Sequence, residues 1–138
     1  MEPTVIITVV ILLLIGLLFL VTSLASKKFD SDKREKIYKR LIELEISAQS
    51  LEDAVRRDTV VKLDNLLARS LQLYFSNKDL CGDNLKKASS IFKKKEYNDI
   101  WQAHKIRNRV VHDDYEVDAS EAIELYNTYK LSIKKILK

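Results

Sequence analysis

From Thr4 to Ala25 the chain runs for 22 residues without a charge. A run of that length is enough to cross a hydrocarbon core about 30 Å thick. Gly16 within it is no objection, because glycine is common in membrane helices. The rival reading is a secretory signal peptide, since Ser23 and Ala25 resemble a small-residue cleavage site. Two features weigh against it. The segment Met1-Glu2-Pro3 carries no lysine or arginine, and the apolar run exceeds the about 7–15 residues of a signal-peptide core. The sequence therefore predicts an uncleaved, single-pass transmembrane anchor over residues 1–28.

Flanking charge orients it. Only Glu2 precedes the run, whereas Lys27, Lys28, Lys33, Arg34, Lys36, Lys39 and Arg40 follow. The positive-inside rule leaves everything after residue 26 in the cytoplasm, at the inner or plasma membrane. The same cations suit anionic headgroups, each contributing about 1 kcal/mol near the surface. The lone Cys81 forms no internal disulfide and agrees with a reducing compartment; it reads as a loop or half-buried small residue. Residues 58–138 hold 15 Lys/Arg against 12 Asp/Glu. That balance excludes a polycation gripping duplex nucleic acid through many phosphates.

Beyond the apolar run there is no proline and one glycine, Gly82. Strand-like alternation is absent and helix formers dominate, so the fold class is all-α. Ser26 to Ser31 reads as a short polar joint. Residues 29–57 then form a juxtamembrane amphipathic helix, with Ile37, Leu41, Leu44, Ala48, Leu51 and Val55 on a heptad seam. Such a seam suits a short coiled coil or a stripe docked on the rest of the chain, and docking is our reading. Ser50 and Asp53 resemble a helix start, so residues 32–76 are either one helix or two broken near 47–50.

A small helical domain over residues 58–138 follows. Its first helix reaches Phe75 and buries Val60, Leu63, Leu67, Leu71 and Tyr74. Ser76 to Asn84 reads as loop with Gly82 at the turn, and Leu85 to Phe92 as a short helix. Lys93–Lys95 form a basic joint, and Tyr97 to His112 is a helix. Asp118 to Glu121 is a capping box for the last helix, whose inward residues are Ala122, Leu125, Tyr126, Tyr129 and Ile133.

The helix ending at His112 carries the residues with chemistry. At about 100° per residue, Ile100, Ala103, Ile106, Val110 and Val111 fill one arc, and Arg107 falls inside it. A charge on a core face needs a partner. Asp64 poses the mirror problem beside Leu67, Ala68 and Leu71, so the two are expected to meet between helices. That pair alone is a complete structural role, a staple fixing register. His104, Asn108 and His112 form an adjoining stripe beside Trp101. His104 reads as a half-buried histidine with one satisfied nitrogen, whereas His112 closes the helix near its favourable dipole, followed by Asp113 and Asp114. A guanidinium that clamps phosphate and an imidazole that moves protons are the minimum for metal-free RNA cleavage. Staple and active site both stay open on these residues.

No cofactor or metal site is expected. Eight residues separate the histidines, no tight ligand pair exists, and no glycine-rich phosphate loop, nucleophile elbow or zinc knuckle occurs. The lysines Lys86, Lys87, Lys93, Lys94 and Lys95 read as a solvated face. The rival is a guide for single-stranded RNA together with Tyr97 and Trp101.

The string Arg107-Asn108-Arg109-Val110-Val111-His112 resembles the Arg-x4-His signature of HEPN-type domains, in which a polar residue follows the arginine. From about Ala54 to Leu137 the chain also resembles a group of small bacterial proteins that join an N-terminal membrane helix to a helical domain. Their Trp-x-Ala-His-Lys-x-Arg-Asn-Arg-x-x-His string is matched from Trp101 to His112, and Asp64 matches their earlier acidic position. The resemblance implies a HEPN-like four-helix bundle, often a homodimer with two motifs facing one cleft, and RNA as partner. In active members of that family, Arg107 corresponds to the phosphate-holding residue, Asn108 to a positioning group and His112 to the general base or acid at the ribose 2′-hydroxyl. Asp64, His104 and Trp101 are then supporting. Many members only bind RNA or protein, so a non-catalytic interaction module is the alternative. The chain departs from the toxin branch, whose tyrosine lies two residues after the histidine; Tyr115 lies three after His112.

Overall fold

The computed structural model describes residues 2–138, and every regular element in it is helical. The elements are α1 (Pro3–Ala48), α2 (Asp53–Phe75), α3 (Cys81–Lys87), a 3-10 turn (Ala88–Ile91), α4 (Lys94–His112) and α5 (Ala119–Ile136). Two compact units divide the chain, one running to Glu35 and one from Lys36 to Lys138.

In the first unit, the apolar residues of α1 from Val5 to Leu24 are all exposed. The helix is long and apolar enough to cross a membrane, and none of its most apolar window is buried. The expected joint at Ser26–Ser31 is helix instead. With neither proline nor glycine there, nothing in the chain stops the i to i−4 ladder.

In the second unit, Ile37, Leu41, Leu44 and Ala48 from the end of α1 are buried in the core. The heptad seam is thus a docked stripe. It stops at Ala48: Leu51 falls in the turn and is 94% exposed, and Val55 is only half-buried. Residues 32–76 are two helices. The second begins at Asp53 behind Glu52, while Ser50 Oγ accepts from the Glu52 backbone N–H rather than capping the helix.

α2 is the central element, packed on α5, α3 and α4, while α4 also packs on α5. Val60, Leu63, Leu67 and Leu71 are buried as the pattern requires, but Tyr74 is exposed. Four residues after Leu71 the phase favours Phe75, which takes the inward place. The loop after α2 is shorter than the sequence suggested. Its turn uses Ser76, in the left-handed region at φ 51°, so Gly82 is not needed there and lies inside α3. Asn77 and the fully buried Asn84 then exchange reciprocal amide hydrogen bonds of 2.8 and 2.9 Å. The helix expected over Leu85–Phe92 is divided between α3 and the 3-10 turn.

The basic joint is also corrected, since α4 starts at Lys94. The Lys93 N–H donates to Glu96 Oε2 at 2.7 Å, satisfying a helix-start donor. Val111 is exposed although its phase is apolar; it lies in the last turn of α4, on a shallow groove with Ala54, Arg57 and Val61. Asp118 caps α5, accepting from Glu121 N at 2.8 Å, and the five expected inward residues of α5 are buried.

Candidate functional site

Asp64 and Arg107, set on facing apolar arcs by helix phase, stand in contact. Asp64 is 2% exposed in the middle of α2. Its Oδ1 accepts from His104 Nδ1 of α4 at 2.8 Å, from the Tyr129 hydroxyl of α5 at 3.1 Å, and at 4.0 Å from the Cys81 thiol of α3. Its Oδ2 lies 3.5 Å from Arg107 Nε. One carboxylate therefore ties together the four helices α2, α3, α4 and α5.

The surroundings keep that cluster in one protonation pattern. Burial, and then the charge of Asp64, push the Cys81 thiol far above its ordinary value. The same two causes, in the same order, push the Tyr129 phenol well up. Both stay neutral donors, which suits an oxygen that accepts only.

Arg107 is divided in its contacts. Nε is buried beside Asp64 without a hydrogen bond, so Coulomb attraction holds it. One terminal nitrogen donates to Asn108 Oδ1 at 3.0 Å, and the side chain keeps 26% of its surface exposed. Asn108 is thus drawn to Arg107. His112 is not: it is exposed at the end of α4, and its side chain makes no hydrogen bond, ion pair or ring contact among the described residues. At about 100° per residue it lies about 140° around the helix from Arg107. Trp101 packs edge-on to His104 with ring centroids 5.9 Å apart, and Tyr97 packs on Trp101 in turn.

Behind His112 the chain is tied to the start of α2. Arg57 pairs with Asp114 at 2.7 Å and reaches the Val110 carbonyl. Arg56 Nε donates to the Val117 carbonyl at 2.6 Å, and the Val117 N–H donates to Asp53 Oδ1 at 2.9 Å. Arg109 covers the Tyr115 ring, whose hydroxyl donates to Glu121.

Sequence reasoning missed Cys81 and Tyr129 as neighbours of Asp64, and Gly82 as a neighbour of His104. A signal existed for Tyr129, because a tyrosine on a buried stripe needs a partner for its hydroxyl. No comparable signal marked Cys81. The ligand atoms of Asp64, Cys81 and His104 lie within 4.8 Å of one another, a donor set of the kind zinc uses. Here His104 and Asp64 hydrogen-bond to each other directly, and the Arg107 cation already faces the carboxylate. The cluster reads as a hydrogen-bonded hub. No family model, curated protein or solved structure matches the chain.

Proposed function

We propose that the chain is a single-pass membrane protein whose cytoplasmic, HEPN-like bundle binds RNA and cleaves it without a metal ion. The observation that carries this reading is the state of Arg107. Its inner nitrogen is held by Asp64, while its outer end is partly exposed and hydrogen-bonded to Asn108. A guanidinium pre-oriented in this way loses little freedom when it takes a phosphate. Asn108 adds an amide beside it, and His112 stands exposed about one turn further on, free to exchange protons. The apolar part of α1 and the cations from Lys27 to Arg40 support a membrane anchor with the bundle on the cytoplasmic side.

One observation favours a second reading. Asp64 accepts three hydrogen bonds from three other helices, which is sufficient reason for the cluster as architecture in a non-catalytic interaction module. The test incubates the full chain, purified in detergent, with end-labelled single-stranded RNA in EDTA. Expected are products ending in 2′,3′-cyclic phosphate, and a rate about 100-fold or more lower for His112→Ala. No cleavage, or equal cleavage by the variant, leaves the staple.

A further inference from the structure

His104 has a feature that a staple does not need. Its Nδ1 is committed to Asp64, which fixes the ring and places the lone pair of the neutral imidazole on Nε2. Nε2 has no hydrogen-bond partner among the described residues, and His104, buried rather than half-buried, keeps 11% of its side-chain surface exposed. It faces Gly82. A β-carbon at that position would lie 3.5 Å from Nε2 and 3.9 Å from the outer edge of Trp101. Gly82 needs no positive φ, so what its missing side chain leaves is room for about one methyl beside the nitrogen.

We propose that His104 is the general base of the site, reached through the gap at Gly82, with the 2′-hydroxyl of a ribonucleotide as the group it deprotonates. This rests on the reading of the bundle as an RNA-cleaving module. The Asp64–His104 dyad has the required parts: a buried carboxylate orienting an imidazole whose second nitrogen has no protein partner. His104 precedes Arg107 by three residues, so the two are neighbours on one helix face, and both are held by Asp64. Around the helix His112 lies about 80° from His104, on the side away from Arg107. Along α4 the order is His104, then Arg107 with Asn108, then His112, with the phosphate clamp between the two histidines. Eight residues rise about 12 Å.

His104 Nε2 takes the 2′-hydroxyl proton as O2′ bonds to phosphorus. The P–O5′ bond breaks with its electron pair on O5′, and protonated His112 gives that oxygen its proton. A 2′,3′-cyclic phosphate and a 5′-hydroxyl result, and both imidazoles re-equilibrate with solvent. Trp101 offers the adjoining base a ring to stack on.

The test uses the full chain in detergent with two substrates, RNA and uridine 3′-(4-nitrophenyl phosphate), whose leaving group needs no acid. Expected is a loss of about 100-fold or more for His104→Gln on both substrates. Gly82→Ala, which places a methyl over Nε2 without strain, should lose at least about tenfold on both and melt no lower than wild type. His112→Ala should lose activity on RNA alone. If RNA is cleaved and His104→Gln and Gly82→Ala match wild type, the assignment of His104 falls while the functional reading stands. If wild type cleaves neither substrate, the functional reading falls and the role of His104 with it. A second measurement is independent of cleavage. The chain has two histidines, so in His112→Ala diethyl pyrocarbonate reports on His104 alone. Modification in the folded state, slowed at least about tenfold by adding Gly82→Ala, is expected. Modification only on unfolding, or at an unchanged rate, overturns the open Nε2 and the proposal.

Discussion

Asp64 and His104 lie 40 residues apart in sequence and 2.8 Å apart in space, joined by a hydrogen bond inside the bundle. Because Tyr129, Cys81 and Arg107 converge on the same carboxylate, the relative placement of α2, α3, α4 and α5 depends on one side chain. The arrangement suits a site as well as a scaffold, since it orients His104 and Arg107 while leaving Arg107 partly exposed and His104 Nε2 without a protein partner.

Removing that carboxylate leaves a cation and several donors without a partner. Asp64→Ala is expected to lower stability by about 3–5 kcal/mol, read by thermal unfolding under circular dichroism in detergent. Tyr129→Phe, which deletes one hydrogen bond and keeps the ring, should cost only about 1 kcal/mol. Equal losses from the two would show that Asp64 is not the hub.

Stability should also fall on the alkaline side. Cys81 and Tyr129 have folded-state values raised above their ordinary 9.0 and 10.0, so the folded chain holds protons that the unfolded chain releases. Their contribution is complete below about pH 9 and declines as pH rises, first as unfolded thiol and then as unfolded phenol ionises. The melting temperature of wild type should drop more steeply between pH 8 and 10.5 than that of Cys81→Ala/Tyr129→Phe. Parallel curves would contradict the burial of these two groups.

What was legible in the sequence followed from periodicity. The docked stripe from Ile37 to Ala48, the inward face of α5 and the meeting of Asp64 with Arg107 all come from the phase of apolar residues on a helix. What was not legible depended on where helices end. Leu51 keeps the heptad spacing but follows the last turn, Tyr74 yields to Phe75, and Ser76 rather than Gly82 takes the left-handed turn. Local composition does not announce these choices, because they depend on which neighbour the chain meets next. The same holds for Cys81, which reaches Asp64 only because α3 begins earlier than its residues suggest.

His112 provides the control that separates function from architecture. It is exposed, and its side chain makes no hydrogen bond, ion pair or ring contact among the described residues, so His112→Ala should change stability by no more than about 0.5 kcal/mol. A clear drop in melting temperature would mean that this residue is structural, and its loss of activity would then carry no mechanistic weight.

The end of α1 gives the last test, because two residues one position apart there should behave oppositely. Leu41 is buried against the bundle, and its carbonyl accepts from the Tyr126 hydroxyl at 3.2 Å. The neighbouring Glu45 carboxylate, with burial as the larger cause, raises that phenol to about 12. Ile42, the next residue, is exposed. Leu41→Ala opens a cavity and is expected to cost about 2–5 kcal/mol, whereas Ile42→Ala should stay within about 0.5 kcal/mol. Both are read as thermal unfolding of the full chain. If the seam instead served a coiled coil between copies, the cost of Leu41→Ala would shrink on dilution, because dimer stability depends on protomer concentration. A stripe docked within its own chain predicts a loss independent of protein concentration.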